Sequence, residues 1–313
     1  MAREGPNFPA ALAIAPSAPR AADGARAWEH DSAADIAEYG IAGRIWYVPR
    51  LRRESAYVLM RYVDADPAWV YDPPCTLVGA DAPRTVLELG AGVGTAGLAL
   101  AHALLRTGPA HTVVLTDLPE VVALLTRNAR ATQAAGADVR VCALPWGDAA
   151  AARAAVQCAP RPLTHILCSD LVYFPELLAP LLRTLLDLTR TDPAPEVVIG
   201  YKIRSLTKEQ PFWAAFGAWF DFRPVYCAPA SRPTAWAPLG ADAAHLSHAP
   251  GVVPDDFFVF VAHRKRHTLA QSAPAHDDAL LAGRRVVDAA TQTYDADVSG
   301  TETFEWLMMN RSA

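Results

Sequence analysis

The chain has 313 residues, with 28 Lys and Arg against 33 Asp and Glu, which gives a formal net charge of −5. Hydrophobic residues make up 52% of it and charged residues 19%, which excludes a fully disordered chain because such chains are polar and highly charged. The mild negative charge argues against a general nucleic-acid binder. The sequence contains no run of about 18 apolar residues, so no membrane span is predicted. We therefore expect neither nucleic acid nor membrane as a partner.

The organisation of the chain is predicted from its composition. Residues 1–35 are rich in Ala and Pro and are predicted to be a disordered leader. Regular hydrophobic patterning follows, and we predict one folded domain over residues 36–265. Within it, residues 229–254 lack periodicity and are predicted to be an insertion. The polar segment 266–313 is predicted to be a mostly flexible tail, with a short helix from Asp277 to Ala290.

Short apolar strands alternate with helices from Thr85 onward. Strands are predicted at 85–89, 112–116, 139–142, 164–168, 196–200, 223–227 and 256–263, and helices at 95–105, 119–132, 175–189 and 211–220. This alternation predicts an α/β fold whose parallel sheet is covered by helices on both faces. The last two strands enclose the predicted insertion, so we expect them to pair with each other.

A glycine-rich turn joins the first of these strands to its helix. Residues 88–97 read Glu-Leu-Gly-Ala-Gly-Val-Gly-Thr-Ala-Gly. The spacing Gly92-x-Gly94-x-x-Gly97 matches the dinucleotide-binding fingerprint. Counted from Glu88, the same segment matches the E-x-G-x-G-x-G loop of class I methyltransferases, whose glycines approach the amino-acid part of S-adenosylmethionine. Asp117 could bind a ribose in either case, and the loop alone does not decide between them.

Aromatic and polar side chains follow the third and fourth predicted strands. Trp146 offers a flat apolar face on which an adenine can stack. Ser169, Asp170 and Tyr173 follow the next strand. Because the carboxyl ends of parallel strands line the ligand crevice of an open α/β sheet, we expect these side chains to converge with the glycine loop. A dehydrogenase has no need for this set, which favours the methyltransferase interpretation.

The combined motifs resemble one family. The matching segments are Ile45-Trp46, Val86–Gly94, Leu115–Pro119, Leu144–Gly147, Ser169–Tyr173 and Gly200–Arg204, and the resemblance covers about residues 44–263. Together they are similar to the seven-β-strand protein-lysine methyltransferases of methyltransferase family 16, of the methyltransferase-like 21 type. The resemblance implies a Rossmann-like class I methyltransferase sheet of seven strands, mostly parallel with the last strand antiparallel, and S-adenosyl-L-methionine as cofactor.

The resemblance also implies roles for single residues. The expected cofactor-binding residues are Trp46 over the pocket, Gly90, Ala91 and Gly92 behind the methionine portion, Asp117 at the ribose, Trp146 at the adenine and Ser169 at the cofactor edge. Asp170 and Tyr173 form the D-x-x-Y signature and are the expected catalytic residues. We expect Tyr173 to wall the amine pocket and Asp170 to orient the amine or the cofactor. Alternatively, Asp170 caps the following helix. Lys202 and Arg204 are interpreted as a solvated strand end.

The five cysteines indicate neither a disulfide framework nor a zinc site, because their number is odd and no pair has C-x-x-C spacing. Cys142 lies in an apolar run, where a free cysteine behaves as a small hydrophobic side chain. A reducing compartment fits this pattern. We expect a cytoplasmic, monomeric enzyme with no metal site.

The function implied by the resemblance is a protein-lysine N-methyltransferase. Its expected partner is a protein carrying the target lysine, such as elongation factor 1-alpha or a cytosolic chaperone. Two alternatives stay open at this point. One is a small-molecule N-methyltransferase of the same fold, and the other is a scaffold that has lost catalysis.

Overall fold

The computed structural model describes residues 36–41, 44–49, 54–64, 66–78, 82–107, 110–240, 257–288, 293–296 and 304. The predicted leader lies outside this set, as does the part of the predicted insertion after residue 240. The predicted domain limits therefore stay predictions.

The helices and strands have the following bounds. The strands are β1 (Ile36–Ile41), β2 (Arg44–Pro49), β3 (Trp69–Asp72), β4 (Thr85–Leu89), β5 (Thr112–Asp117), β6 (Asp138–Ala143), β7 (His165–Ser169), β8 (Glu196–Lys202), β9 (Phe220–Pro224), β10 (Tyr226–Pro229), β11 (Ala237–Pro238), β12 (Phe257–Arg264), β13 (Arg284–Asp288) and β14 (Thr293–Ala296). The helices are α1 (Glu54–Asp64), α2 (Thr95–Leu104), α3 (Pro119–Ala134), α4 (Ala149–Gln157), α5 (Pro175–Leu188), α6 (Leu206–Trp219) and α7 (Asp277–Leu281).

Seven of these strands form the central sheet, in the order β6-β5-β4-β7-β8-β12-β9. The pairs from β6 through β8 are parallel, whereas β12 runs antiparallel to both of its neighbours. The predicted fold, a mostly parallel seven-stranded sheet with an antiparallel last strand, is confirmed. The expectation that the strands flanking the insertion pair with each other is confirmed by the β9–β12 ladder.

Helices cover both faces of the sheet, which explains why β4 is buried at all five positions. Leu87 and Leu89 face a core shared with α4, α5, α6 and α7, whereas Val86 faces a core shared with α1, α2 and α3. Residues of opposite parity therefore join opposite cores, as the period of a strand requires. None of the described helices is long and apolar enough to cross a membrane.

The strand predicted at 223–227 is split in two. β9 ends at Pro224 and belongs to the central sheet, while β10 begins at Tyr226 and pairs with β3 and β11 in a separate sheet of three strands. Between them, the Val225 N–H donates to the carbonyl of Val259 at 2.7 Å. Proline has no N–H to donate to a ladder, so the break falls beside Pro224.

The chain beyond the central sheet packs on the C-terminal end of α6. The guanidinium of Arg285, 5% exposed, donates to the Ala218 carbonyl at 3.4 Å, and the Lys265 N–H donates to the Trp219 carbonyl at 3.0 Å. Cations stabilise the negative end of a helix dipole, and α6 has no basic residue in its own last turn. The predicted helix from Asp277 is present but ends at Leu281.

Phe304 also returns to the body of the domain. Its side chain is 2% exposed, and its ring stacks on that of Trp213 with centroids 5.5 Å apart. Trp213 belongs to α6 and is fully buried in the core. Parts of the segment predicted as a mostly flexible tail, Phe304 among them, therefore contribute to the core.

The cysteine prediction needs correction at one pair. Cys142, at the end of β6, and Cys158, just after α4, form a disulfide. The two residues lie 16 positions apart in the chain, so no short cysteine motif predicts the pair. The fold of the β6–α4 unit brings them together. Cys75, Cys168 and Cys227 form no disulfide within the described part of the chain. The cysteines therefore give no support for a reducing compartment.

His165, at the start of β7, predicts a pH dependence of stability. Its imidazole is 3% exposed, with Nε2 3.0 Å from Thr76 Oγ1 and 3.7 Å from the Glu196 carboxylate. Burial, together with the charges of Arg84 and His263, lowers the pKa of His165 from 6.5 to about 3. Between these two pH values the unfolded chain binds a proton that the folded chain does not, so we expect stability to fall as the pH falls from 6.5 towards 3.

Urea unfolding followed from pH 4 to pH 7 tests this expectation. His165→Gln removes the titrating group and is expected to flatten the rise of unfolding free energy with pH. The exposed His276 provides the matched control, His276→Gln, which is expected to keep the wild-type slope. A wild-type slope in His165→Gln would show that His165 is not the group responsible.

Candidate active site

The glycine loop lies between the carboxyl end of β4 and the start of α2. Gly90, Gly92 and Gly94 have φ values of +56°, +58° and +85°, a region that favours glycine. The Ala91 N–H donates to the Thr116 carbonyl of β5 at 2.9 Å, which fixes the loop on the sheet. The predicted strand–turn–helix context of the loop is therefore present.

Gly97 allows α2 to pack closely on the strands. A Cβ at this position would lie 2.3 Å from Glu88 Oε2 and 2.3 Å from Leu115 Cδ2. The Gly97 N–H donates to Glu88 Oε2 at 2.9 Å, and the Glu88 side chain is buried. Close packing therefore explains the glycine at position 97, and the hydrogen bond explains the carboxylate at position 88. Neither explanation requires contact with a ligand.

We expect Gly97→Ala to lower the free energy of unfolding by about 1–3 kcal/mol, because the added methyl group overpacks the α2–sheet contact. Helix propensity alone predicts the opposite sign, a gain of about 1 kcal/mol. Denaturant unfolding of the variant therefore separates the two effects. An unfolding free energy equal to or above the wild-type value would contradict the packing account.

Asp117, at the end of β5, is joined to the glycine loop. Its Oδ2 accepts the Gly92 N–H at 2.6 Å, and its Oδ1 accepts the Leu118 N–H at 2.7 Å. A carboxylate offers about four acceptor positions, the number that two backbone N–H groups and the paired hydroxyls of a ribose would use. Asp117, the residue predicted to bind the ribose, is therefore in direct contact with the glycine loop.

Trp146 lies against the same loop from the side of β6. A Cβ on Gly90 would meet Trp146 Cζ2 at 2.9 Å and Leu171 Cδ2 at 2.9 Å. The Leu144 N–H donates to the Asp117 carbonyl at 2.8 Å. This bond fixes the segment just before Trp146 beside Asp117, the residue expected to bind the ribose. Trp146 is partly buried, and its side chain packs against the core.

Ser169, the last residue of β7, is 4% exposed and its Oγ has no hydrogen-bond partner within the described part of the chain. A buried hydroxyl without a partner is unfavourable unless a ligand or water supplies one. This hydroxyl, the glycine cradle at 90–92 and the Asp117 carboxylate fit a ligand with an amino-acid end and a ribose. The residues present therefore suit S-adenosylmethionine.

Asp170 has an unusual backbone. Its φ is +63°, and it is the one non-glycine residue with positive φ among those that the structure describes. Strained backbone of this kind concentrates at functional sites. The Asp170 N–H donates to the Gly200 carbonyl at 2.8 Å. The helix-cap alternative is wrong, because Phe174 is the N-cap residue of α5 and no side chain caps that helix.

The Asp170 carboxylate is held by Arg204, which follows β8. Nη1 donates to Oδ1 at 2.6 Å and Nη2 donates to Oδ2 at 2.5 Å, a bidentate arrangement. The Arg204 guanidinium also lies 5.6 Å from the ring centroid of Tyr173, within cation–π range. Partial burial alone would lower the pKa of Arg204, but the Asp170 carboxylate outweighs it and raises that pKa.

The interpretation of Lys202 and Arg204 as a solvated strand end is therefore wrong for Arg204. Its side chain remains 39% exposed, yet it is paired with Asp170. The Lys202 ammonium lies 4.9 Å from the ring centroid of Phe257, which is also not a purely solvated position. The strand-end rule that located Asp170 after β7 applies equally to β8, and it would have found Arg204.

The structure brings most of the predicted site residues together. Gly90, Gly92, Asp117, Trp146 and the segment from Ser169 to Tyr173 meet at the carboxyl edge of β4, β5 and β7. Ala91 is buried within the loop. Trp46 lies in β2, opposite Tyr39 of β1, and its side chain is outside the described part of the structure. Its role over the cofactor stays a prediction.

Comparison with known proteins identifies the family. Residues 32–216, more than half of the chain, match the family model described as lysine methyltransferase. Protein-lysine N-methyltransferase EFM6 of Saccharomyces cerevisiae is 31% identical over 176 residues, which cover 54% of this chain and 67% of that protein.

Two solved structures also match this chain, both at low sequence identity. The S-adenosylmethionine-dependent methyltransferase SibL in its apo form has a TM-score of 0.33 at 19% identity, over 58% of this chain and 51% of that one. Cofactor-bound Rv0187 from MTB has a TM-score of 0.38 at 13% identity, over 69% and 81%. The match to this chain thus covers about half the length of SibL. The assignment rests on the sequence matches: the chain belongs to the lysine methyltransferase family and is an S-adenosylmethionine-dependent methyltransferase.

Proposed function

We propose that the protein is a protein-lysine N-methyltransferase whose substrate is a translation elongation factor, with elongation factor 1-alpha as the first candidate. The name of the yeast relative supports a protein lysine as the acceptor. The choice of an elongation factor rests on the family resemblance of the motifs from Ile45 to Arg204. We further propose that the enzyme is cytoplasmic and monomeric.

The observation that carries this proposal is the convergence of Asp170 and Tyr173 with the glycine loop. Leu171, between them, contacts Gly90, so the D-x-x-Y segment lies directly beside the loop that would hold the amino-acid end of the cofactor. The cofactor supplies an activated methyl group when it is bound, and the protein supplies binding and orientation. A site for an acceptor amine is expected at this position.

A lysine acceptor must lose a proton before it can attack, because its free pKa is about 10.4. The partly buried ring of Tyr173 packs on Phe174, with ring centroids 4.5 Å apart. An aromatic wall of this kind removes water from the amine and so favours its neutral form. Asp170 retains acceptor capacity beyond its two bonds to Arg204, which it can use to orient the amine N–H.

Tritium transfer tests the proposal. The purified protein is incubated with tritiated S-adenosylmethionine and an extract of cells that lack it, and the proteins are resolved on a gel. We expect one labelled protein that co-migrates with elongation factor 1-alpha and disappears when that factor is depleted. Label in low-mass products alone would favour a small-molecule acceptor, and no label in any fraction would favour a scaffold without catalysis.

A further inference from the structure

At the expected amine site, the positive charge of Arg204 is paired with the negative charge of Asp170. The guanidinium binds both carboxylate oxygens and lies over Tyr173, so all three side chains form one unit. Asp170 is 23% exposed and Arg204 is 39% exposed. The unit is therefore in contact with solvent at the mouth of the site, where a lysine side chain from another protein would enter.

An unpaired carboxylate at this position would oppose the reaction that the family performs. A negative charge within about 4–6 Å of an amine stabilises the ammonium form and raises its pKa by about 1–3 units. The nucleophile is the neutral amine, so such a shift reduces the reactive fraction at neutral pH. A carboxylate whose charge is matched by a guanidinium can still accept an N–H bond without this penalty.

A second carboxylate, that of Glu209, also interacts with Arg204, and its charge likewise favours the charged guanidinium. Glu209 of α6 is fully buried and accepts the Tyr201 hydroxyl at 2.6 Å and the Ser205 N–H at 3.0 Å. Its carboxylate also accepts the backbone N–H of Arg204 at 3.3 Å, so it fixes the backbone that carries the guanidinium.

Further groups face the unit. The Lys202 carbonyl accepts Arg204 Nη1 at 3.3 Å, while the Lys202 ammonium lies over Phe257. Tyr173 and Tyr201 are further titratable groups that interact with the guanidinium. Asp170 is therefore the carboxylate that both receives the guanidinium and belongs to the expected amine site.

We propose that Arg204 is a positioning residue that neutralises Asp170 and thereby keeps the target lysine in its reactive, neutral form. This rests on the proposed lysine methyltransferase function and adds to it a residue outside the D-x-x-Y signature. The guanidinium carries its charge across the whole pH range in which the enzyme is assayed. It sets both the orientation of the Asp170 carboxylate and the electrostatic potential at the amine.

The test is the pH dependence of methyl transfer in two variants of Arg204. Initial rates of tritium transfer from S-adenosylmethionine to the labelled protein band of the extract are measured at limiting acceptor from pH 6.5 to 10. Arg204→Gln removes the charge and is expected to shift the midpoint of the rate profile upward by about one pH unit. Arg204→Lys keeps the charge and is expected to stay near the wild-type midpoint, with a lower rate because the bidentate geometry is lost.

Two controls separate this role from a structural one. Arg266→Gln removes a guanidinium that pairs with Asp192 at the surface, 3.2 Å away, and is expected to leave the profile unchanged. Calorimetric affinity for S-adenosylhomocysteine is expected to stay within about threefold of wild type in both Arg204 variants, since the described hydrogen bonds of the Arg204 side chain go to Asp170 and the Lys202 carbonyl. If Arg204→Gln fails to fold, the double variant Asp170→Asn/Arg204→Gln replaces both charges by amides, and its midpoint is expected to match the wild type.

The outcomes distinguish the two proposals. A lower rate with an unshifted midpoint in Arg204→Gln overturns the inference and leaves the methyltransferase function in place. A raised midpoint in Arg204→Lys or in the double variant also overturns it, because neither leaves an uncompensated carboxylate. If the wild-type protein labels no protein in the extract, the proposed function fails and the inference fails with it.

Discussion

Replacing Asp117 by alanine is expected to weaken binding of S-adenosylhomocysteine by about 100-fold or more. Two charge-assisted hydrogen bonds to the ribose would be lost, each worth about 1.5–3 kcal/mol. The Gly92 N–H, which donates to Asp117 at 2.6 Å, would lose its acceptor as well, so the glycine loop would also be less well fixed. Isothermal titration calorimetry with S-adenosylhomocysteine measures the effect directly.

Two further variants sharpen this result. Asp192→Ala removes a surface carboxylate that pairs only with an exposed arginine in the described contacts and is expected to bind with wild-type affinity. Asp117→Asn keeps one acceptor oxygen and is expected to fall between wild type and Asp117→Ala. Wild-type affinity in a folded Asp117→Ala protein would remove Asp117 from the cofactor site.

The second large effect is expected at Asp170. Asp170→Ala is expected to lower the rate of methyl transfer by about 100-fold or more, because a misplaced acceptor amine loses the benefit of orientation. The variant also leaves the Arg204 guanidinium beside the amine site without its carboxylate partner. Affinity for S-adenosylhomocysteine is expected to stay within about threefold of wild type. Single-turnover tritium transfer and calorimetry give the two values.

Asp277→Ala is the matched control for Asp170→Ala. It removes another partner of an arginine, since Asp277 lies 2.8 Å from Arg183 on the face covered by α5 and α7. Its methyl-transfer rate is expected to equal that of wild type. If Asp170→Ala retains full activity and full affinity, Asp170 has no role in orientation, and the D-x-x-Y segment must be assigned to the structure of the β7–α5 turn.

Local patterns in the sequence were sufficient to predict the central sheet and the glycine loop. The strand Thr85–Leu89 is buried at all five positions because both of its faces are covered, and a turn with glycines at 90, 92 and 94 follows it directly. Asp117, Trp146 and Asp170 follow strands of the same parallel sheet, so their convergence is a consequence of topology. These features depend on short stretches of chain.

Features that depend on distant pairing were not predictable in the same way. The strand-end rule places Arg204 and Asp170 at the same edge of the sheet, but it does not indicate that the two side chains pair across 34 residues of chain. Arg285 supplies the charge that α6 lacks at its C-terminal end, from 67 residues away. Likewise, the break at Val225 depends on its bond to Val259 of the neighbouring strand. In each case the partner is selected by packing, and no local periodicity indicates it.

The most direct test of the account is the chemical identity of the methylated product. Proteins labelled with tritiated S-adenosylmethionine by the wild-type enzyme are hydrolysed completely, and the labelled amino acids are separated. The account predicts that the label is recovered as methylated lysine and that Asp117→Ala and Asp170→Ala enzymes yield little of it. Label recovered as another methylated amino acid, or confined to compounds of low mass, would contradict it.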